Sequence, residues 1–124
     1  MKTKSDPRHN ERVAAVKSLF EASFSPKATN LHPLAENVYK KHTQTDRLLK
    51  KHAPAWPITQ IAPVDLAILR LAIYELIFET KKEPYKVIVD EAVEIAKEFG
   101  SQSSASFVNG VLGSIIKSNI KNHG

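Results

Sequence analysis

The chain has 124 residues, 42% hydrophobic and 25% charged, no cysteine and a formal net charge of +5. This length suits one domain with a real core, and the lack of cysteine excludes disulfides, thiolate metal sites and a thiol nucleophile, which fits a reducing cytoplasm. No apolar run reaches the roughly 20 residues of a membrane span, and the charged N-terminus lacks an apolar signal core, so neither membrane nor secreted character is expected. The charge is uneven. Over residues 40–51, Lys40, Lys41, Arg47, Lys50 and Lys51 face Asp46 alone, whereas residues 65–98 are net acidic. A chain so divided can hold a polyanion on one surface and a basic partner on another; the plainer reading is that both runs are solvated faces.

Residues 1–6 read as a loose basic lead-in, with Asp6 as N-cap and Pro7 at the first helical position. The spacing of Val13, Val16, Phe20 and Phe24 predicts a helix to about Phe24 with those side chains inward, and Arg8 and Arg12, four apart, on an exposed face. Two arginines at a helix N-terminus oppose the macrodipole, so a phosphate backbone is the candidate that keeps them there, against a chance surface pair. After a short loop around Pro26, a second helix starts at Pro33. Leu34, Val38, Thr45, Leu48, Leu49 and His52 share one face and the lysines take the other, with Thr43 to Thr45 as the candidate break. Pro54, Trp56 and Pro57 then turn the chain, Trp56 reading as a core or hinge plug.

From Pro63 to Glu79 the chain is apolar nearly all round a helix, which makes this the buried element that other helices wrap. Arg70 and Tyr74 form one polar stripe on it; Asp65, Glu75 and Glu79 form another. Arg70 is either a half-buried cation paired with a neighbouring carboxylate or a direct ligand contact. Pro84 opens a helix through Phe99, with Ile88, Ala92, Ile95 and Phe99 inward, Asp90, Glu91, Glu94 and Glu98 outward, and Gly100 as a left-handed cap. Ser103 is the expected N-cap of a last helix whose Phe107, Val108, Val111, Leu112, Ile115 and Ile116 face the core. Gly110 and Gly113 each cost about 1 kcal/mol there relative to alanine, so at least one is expected to admit another backbone. There is no strand pattern and no repeat, so the expected class is all-α. The five histidines lack metal-ligand spacing, and there is no phosphate loop, nucleophile elbow or isolated carboxylate pair; no metal, cofactor or catalysis is expected.

Three segments together carry a resemblance: VDLAILRLAIYEL at 64–76, PYKVIVDEAVEIAKEFG at 84–100 and FVNGVL at 107–112. In that order and spacing they resemble the signature of the NusB family of bacterial transcription antitermination factors, strongly over 56–117 and moderately over 8–24. Between Ser25 and Pro33 this chain is shorter, as if an extra helix of the family were absent. The resemblance implies an all-helical single domain of two packed helical subdomains, 1–124, with loose ends at 1–6 and 121–124. It implies binding of boxA RNA together with a ribosomal protein also called NusE, in a complex with NusA, NusG and RNA polymerase that suppresses premature termination in ribosomal RNA synthesis. The module also opens some ribosomal RNA cytosine methyltransferases; the stand-alone form is expected here. The family's arginine-rich start maps onto Arg8, His9 and Arg12, and the RNA side further onto Arg70, Tyr85, Lys86, Ser103, Phe107 and Asn109. Ser103 and Ser106 stand where the family often has an acidic residue and a lysine. The ribosomal-protein side maps onto Phe20, Asp65 and Glu75. The alternatives are a helical protein-interaction scaffold that does not bind RNA, and a weak homodimer through an exposed helix face.

Overall fold

The computed structural model describes residues 6–25, 30–55, 57–81 and 83–119. In chain order the elements are α1 (Pro7–Ala22), α2 (Pro33–Lys40), α3 (His42–His52), a 3-10 turn (Ile58–Gln60), α4 (Pro63–Ile77), α5 (Tyr85–Phe99) and α6 (Ser104–Asn119), with no strand among the described residues. The readings made for residues 1–5, most of the shortened connection after Ser25, Trp56 and the C-terminal end lie outside the described residues. No helix among the described residues is long and apolar enough to cross a membrane.

The composition of α4 explains its position. Ala67, Ile68, Leu69, Leu71, Ala72, Ile73 and Leu76 point in every direction around it and all are buried, so water is excluded from most of the circumference. Each large aliphatic side chain gains about 1.5–3 kcal/mol by transfer from water. All five other helices pack on α4: α1 and α2 pair with each other against it, α5 and α6 do the same, and α3 bridges α4 and α6. The expected all-α domain around a buried central helix is the fold observed.

Several local expectations are corrected. The helix from Pro33 is two helices, and the break falls at Lys41, before the threonines, where the backbone leaves the helical region (φ −107°, ψ 11°). Thr45 packs inward, its hydroxyl donating to the His42 carbonyl at 3.1 Å. α4 ends at Ile77 rather than Glu79: the Phe78 N–H still makes the helical bond to the Tyr74 carbonyl at 2.8 Å, but the Glu79 N–H reaches back five residues to the same carbonyl at 3.0 Å, which widens the last turn and ends the helical pattern. α1 ends at Ala22, and Phe20 and Phe24 are 37% and 64% exposed rather than inward. Gly100 is extended (φ −93°, ψ −169°), not left-handed. Glycine is needed there because a Cβ would stand 2.5 Å from Ser104 Cβ and 2.8 Å from the Ala96 carbonyl oxygen. Gly110 and Gly113 admit no other backbone: nothing lies within 4 Å of a Cβ built on either.

Candidate functional site

Asp6 fixes the first turn of α1 by accepting from the Arg8 N–H at 2.9 Å. Arg8 stays at the surface, its Nε 3.3 Å from Glu83 Oε2. One turn further on, Arg12 is only 4% exposed. Its Nε and Nη2 donate to the two oxygens of Glu75 at 2.8 and 2.7 Å, Nη1 donates to Glu91 Oε1 at 3.2 Å, and Nη2 also donates to Glu83. Burial by itself would lower the Arg12 pKa, but the hydrogen bonds and charge of Glu75 and then Glu83 outweigh it, and the guanidinium is held above its ordinary value. His9 Nδ1 lies 3.1 Å from Glu91 Oε1.

This cluster corrects three placements. Arg12 does not share an exposed face with Arg8, Glu91 does not face outward, and Glu75 is not on an open acidic stripe. The reason is shared: α1 covers these positions on α4 and α5, and charges so covered persist only when paired. Arg70 likewise takes the internal one of its two readings, closing bidentately on Asp46 of α3 at 2.9 and 2.7 Å.

The remaining residues fall at the two ends of α5. At its start, the Arg8–Glu83 contact brings α1 beside Tyr85 and Lys86, with Lys86 exposed and Tyr85 half-buried. At its far end, roughly 20 Å away at 1.5 Å per residue, the turn into α6 and the start of α4 enclose a cleft of about 390 Å³ lined by Gln60, Ile61, Asp65, Ser103, Ser106 and Phe107. Asp65 is 7% exposed, and its Oδ1 is fully buried with no hydrogen-bond partner. Ser106 Oγ donates to the Ser103 carbonyl at 3.2 Å, and the exposed Asn109 follows two residues after Phe107. Next to this cleft, Val16, Lys17, Phe20, Val64 and Phe99 line an apolar pocket of about 300 Å³. Phe20 meets Phe24 edge to face at 4.9 Å, and Lys17 Nζ lies 5.3 Å from the Phe99 ring centre. Because Val64 lines one hollow and Asp65 the other, Phe20 and Asp65 come together while Glu75 is left inside. Phe99 and Gln60 were not singled out from sequence. Helical spacing assigned Phe99 inward, but its ring is 38% exposed and lines the pocket.

A model of the NusB family matches residues 9–117. The chain belongs to the NusB family. It is 37% identical to the transcription antitermination protein NusB of Chloroflexus aggregans, across 88% of this chain and 86% of that one. It is 40% identical to the protein of the same name from Roseiflexus sp. strain RS-1, across 87% and 78%. The solved structure of T. maritima NusB superposes with a TM-score of 0.81 at 33% identity, covering 94% of this chain and 93% of that one. In this NusB-family chain, then, the Arg12 cluster is part of the interior, and the Asp65 cleft and Phe20 pocket are open to solvent.

Proposed function

We propose that this NusB-family chain is a non-catalytic adaptor of transcription antitermination that binds boxA RNA together with the ribosomal protein NusE. With NusA and NusG it acts on RNA polymerase in the cytoplasm, suppressing premature termination during ribosomal RNA synthesis. The relatives' names support the antitermination role. The junction at the start of α4, where exposed aromatic rings flank a cleft holding an unpartnered carboxylate oxygen, supports the docking of a partner. A buried acceptor left unmade costs about 1–3 kcal/mol, which a donor from a basic protein recovers, and rings at a pocket rim are the usual anchors of an interface. On the RNA side, Arg8 and Lys86 supply phosphate contacts, Phe107 a ring face for a base, and Ser103 and Asn109 polar groups for base edges.

The test is titration of a boxA-like RNA and a scrambled one at several salt concentrations, with and without the ribosomal protein. The boxA-like RNA should bind more tightly, the partner should strengthen it, and Asp65→Lys should remove that gain while RNA alone still binds. Equal affinity for both RNAs with the partner present overturns the reading. The inward turn of Arg12, which leaves Arg8 as the one surface arginine of α1, favours a second reading, a scaffold that binds protein and not RNA. Unchanged RNA affinity in Arg8→Ala combined with Lys86→Ala, with partner binding intact, would decide for the scaffold.

A further inference from the structure

The basic run at residues 40–51 takes no part in that reading, yet the fold gives it a groove. α3 and the 3-10 turn enclose about 750 Å³, with His42, Asp46, Arg47 and Lys50 on the helix wall and Pro57 and Thr59 opposite. Asp46 is the run's one acid, and Arg70 closes on it from α4 at 2.9 and 2.7 Å, so a cation from outside the run offsets its charge. Arg47 and Lys50 are exposed, and neither forms an ion pair among the described residues. His42 is held by its Nδ1, 2.7 Å from the Tyr39 carbonyl, and by stacking on the Tyr39 ring at 4.3 Å. The groove therefore presents uncompensated positive charge along an ordered wall.

Its position indicates an occupant. Thr59 lines this groove and Gln60, the next residue, lines the Asp65–Phe107 cleft, so the two hollows meet across the 3-10 turn. We infer that the groove carries the sugar–phosphate backbone of the RNA as it leaves Asn109 and the rim of that cleft at Ser103 and Phe107, so that the chain grips a longer strand than these residues alone hold. The inference rests on the RNA-binding reading above. A strand with one negative charge per nucleotide satisfies the field of the groove, whereas a basic partner protein is repelled from it. Arg47 suits a bidentate phosphate contact, and Lys50 a point-charge one.

The experiment uses the full chain, wild type and Arg47→Glu/Lys50→Glu, a double reversal of two exposed side chains whose unchanged melting temperature is checked first. Four RNAs are titrated at several salt concentrations: a short boxA-like oligonucleotide, a scrambled one of the same length, and the boxA-like one extended by unrelated sequence at its 5′ or its 3′ end. One extension, and not the other, should tighten binding to the wild type by roughly tenfold with a steeper salt dependence. The double reversal should abolish that gain and lower the slope by about one per lost contact, leaving the short RNA within about twofold. Extensions that add nothing to the wild type, or a gain that survives the reversal, overturn the groove and leave the proposed function standing. If the reversal instead weakens the ribosomal protein and spares the gain, the groove is a protein surface and the inference is overturned. Failure of the wild type to prefer the boxA-like core overturns the functional reading itself.

Discussion

Arg8 and Arg12 stand one turn apart on α1 with identical side chains, and the structure predicts opposite consequences for removing them. Arg12 is the cation on which Glu75, Glu83 and Glu91 converge, and Glu75 and Glu91 are only 5% and 1% exposed. Arg12→Ala leaves two buried carboxylates without their guanidinium, and stranding one partner of a buried pair costs about 3–5 kcal/mol. In a domain of this size each kcal/mol moves the melting temperature by about 4 °C, so the variant should melt roughly 12–20 °C lower. Arg8→Ala should cost at most about 1 kcal/mol, since its side chain is half exposed and its contact to Glu83 lies at the surface. Urea and thermal unfolding followed by circular dichroism measure both, and Arg12→Ala/Glu75→Ala completes the cycle. Because the pair acts as a unit, the double variant should be less destabilised than the sum of the two single ones by about 1–3 kcal/mol. Equal losses for Arg8→Ala and Arg12→Ala, or strict additivity with Glu75, would refute the internal assignment of Arg12.

Two glycines should respond with opposite signs. Gly100→Ala places a Cβ 2.5 Å from Ser104 and should cost about 1–3 kcal/mol, whereas Gly110→Ala, with nothing within 4 Å, should gain about 0.8–1.0 kcal/mol; denaturation midpoints of the two variants check this. His52 ties α3 to α6, with Nδ1 2.8 Å from Ser114 Oγ and Nε2 3.4 Å from Asn119 Nδ2. Burial and then the charge of Lys51 hold its pKa below the ordinary imidazole value, so the unfolded chain takes up this proton first. The contribution of His52 is therefore present above the ordinary value and is lost as pH falls through the lower folded one. His52→Gln should flatten that limb of the urea-midpoint profile against pH, and an unchanged slope would show that another group sets it.

Much of the fold is legible in the sequence because it depends on local chemistry. The apolar circumference of α4, the Asp6–Pro7 start of α1 and the proline before α5 each follow from patterning and from a missing N–H, and the structure keeps all three. Periodicity also reveals which side of a helix is apolar. It does not reveal whether a charged position on the other side is covered, because that depends on a helix arriving from elsewhere in the chain. Arg12 meets Glu75 across 63 residues of sequence and Glu91 across 79, and no window of either helix contains that information. The same holds for Arg70, for which sequence offers two readings and Asp46, 24 residues away, selects one. Gly100 is recognisable as a required glycine, but the reason is the approach of Ser104 rather than a positive φ. Asp65 can be marked as a candidate from the polar stripe of its own helix, whereas periodicity turns Phe20 inward and only the family resemblance marks it. Only the packing of α1 against the start of α4 sets the aromatic pocket next to the unpartnered carboxylate, because adjacency between helices is a property of the assembled core and not of either segment.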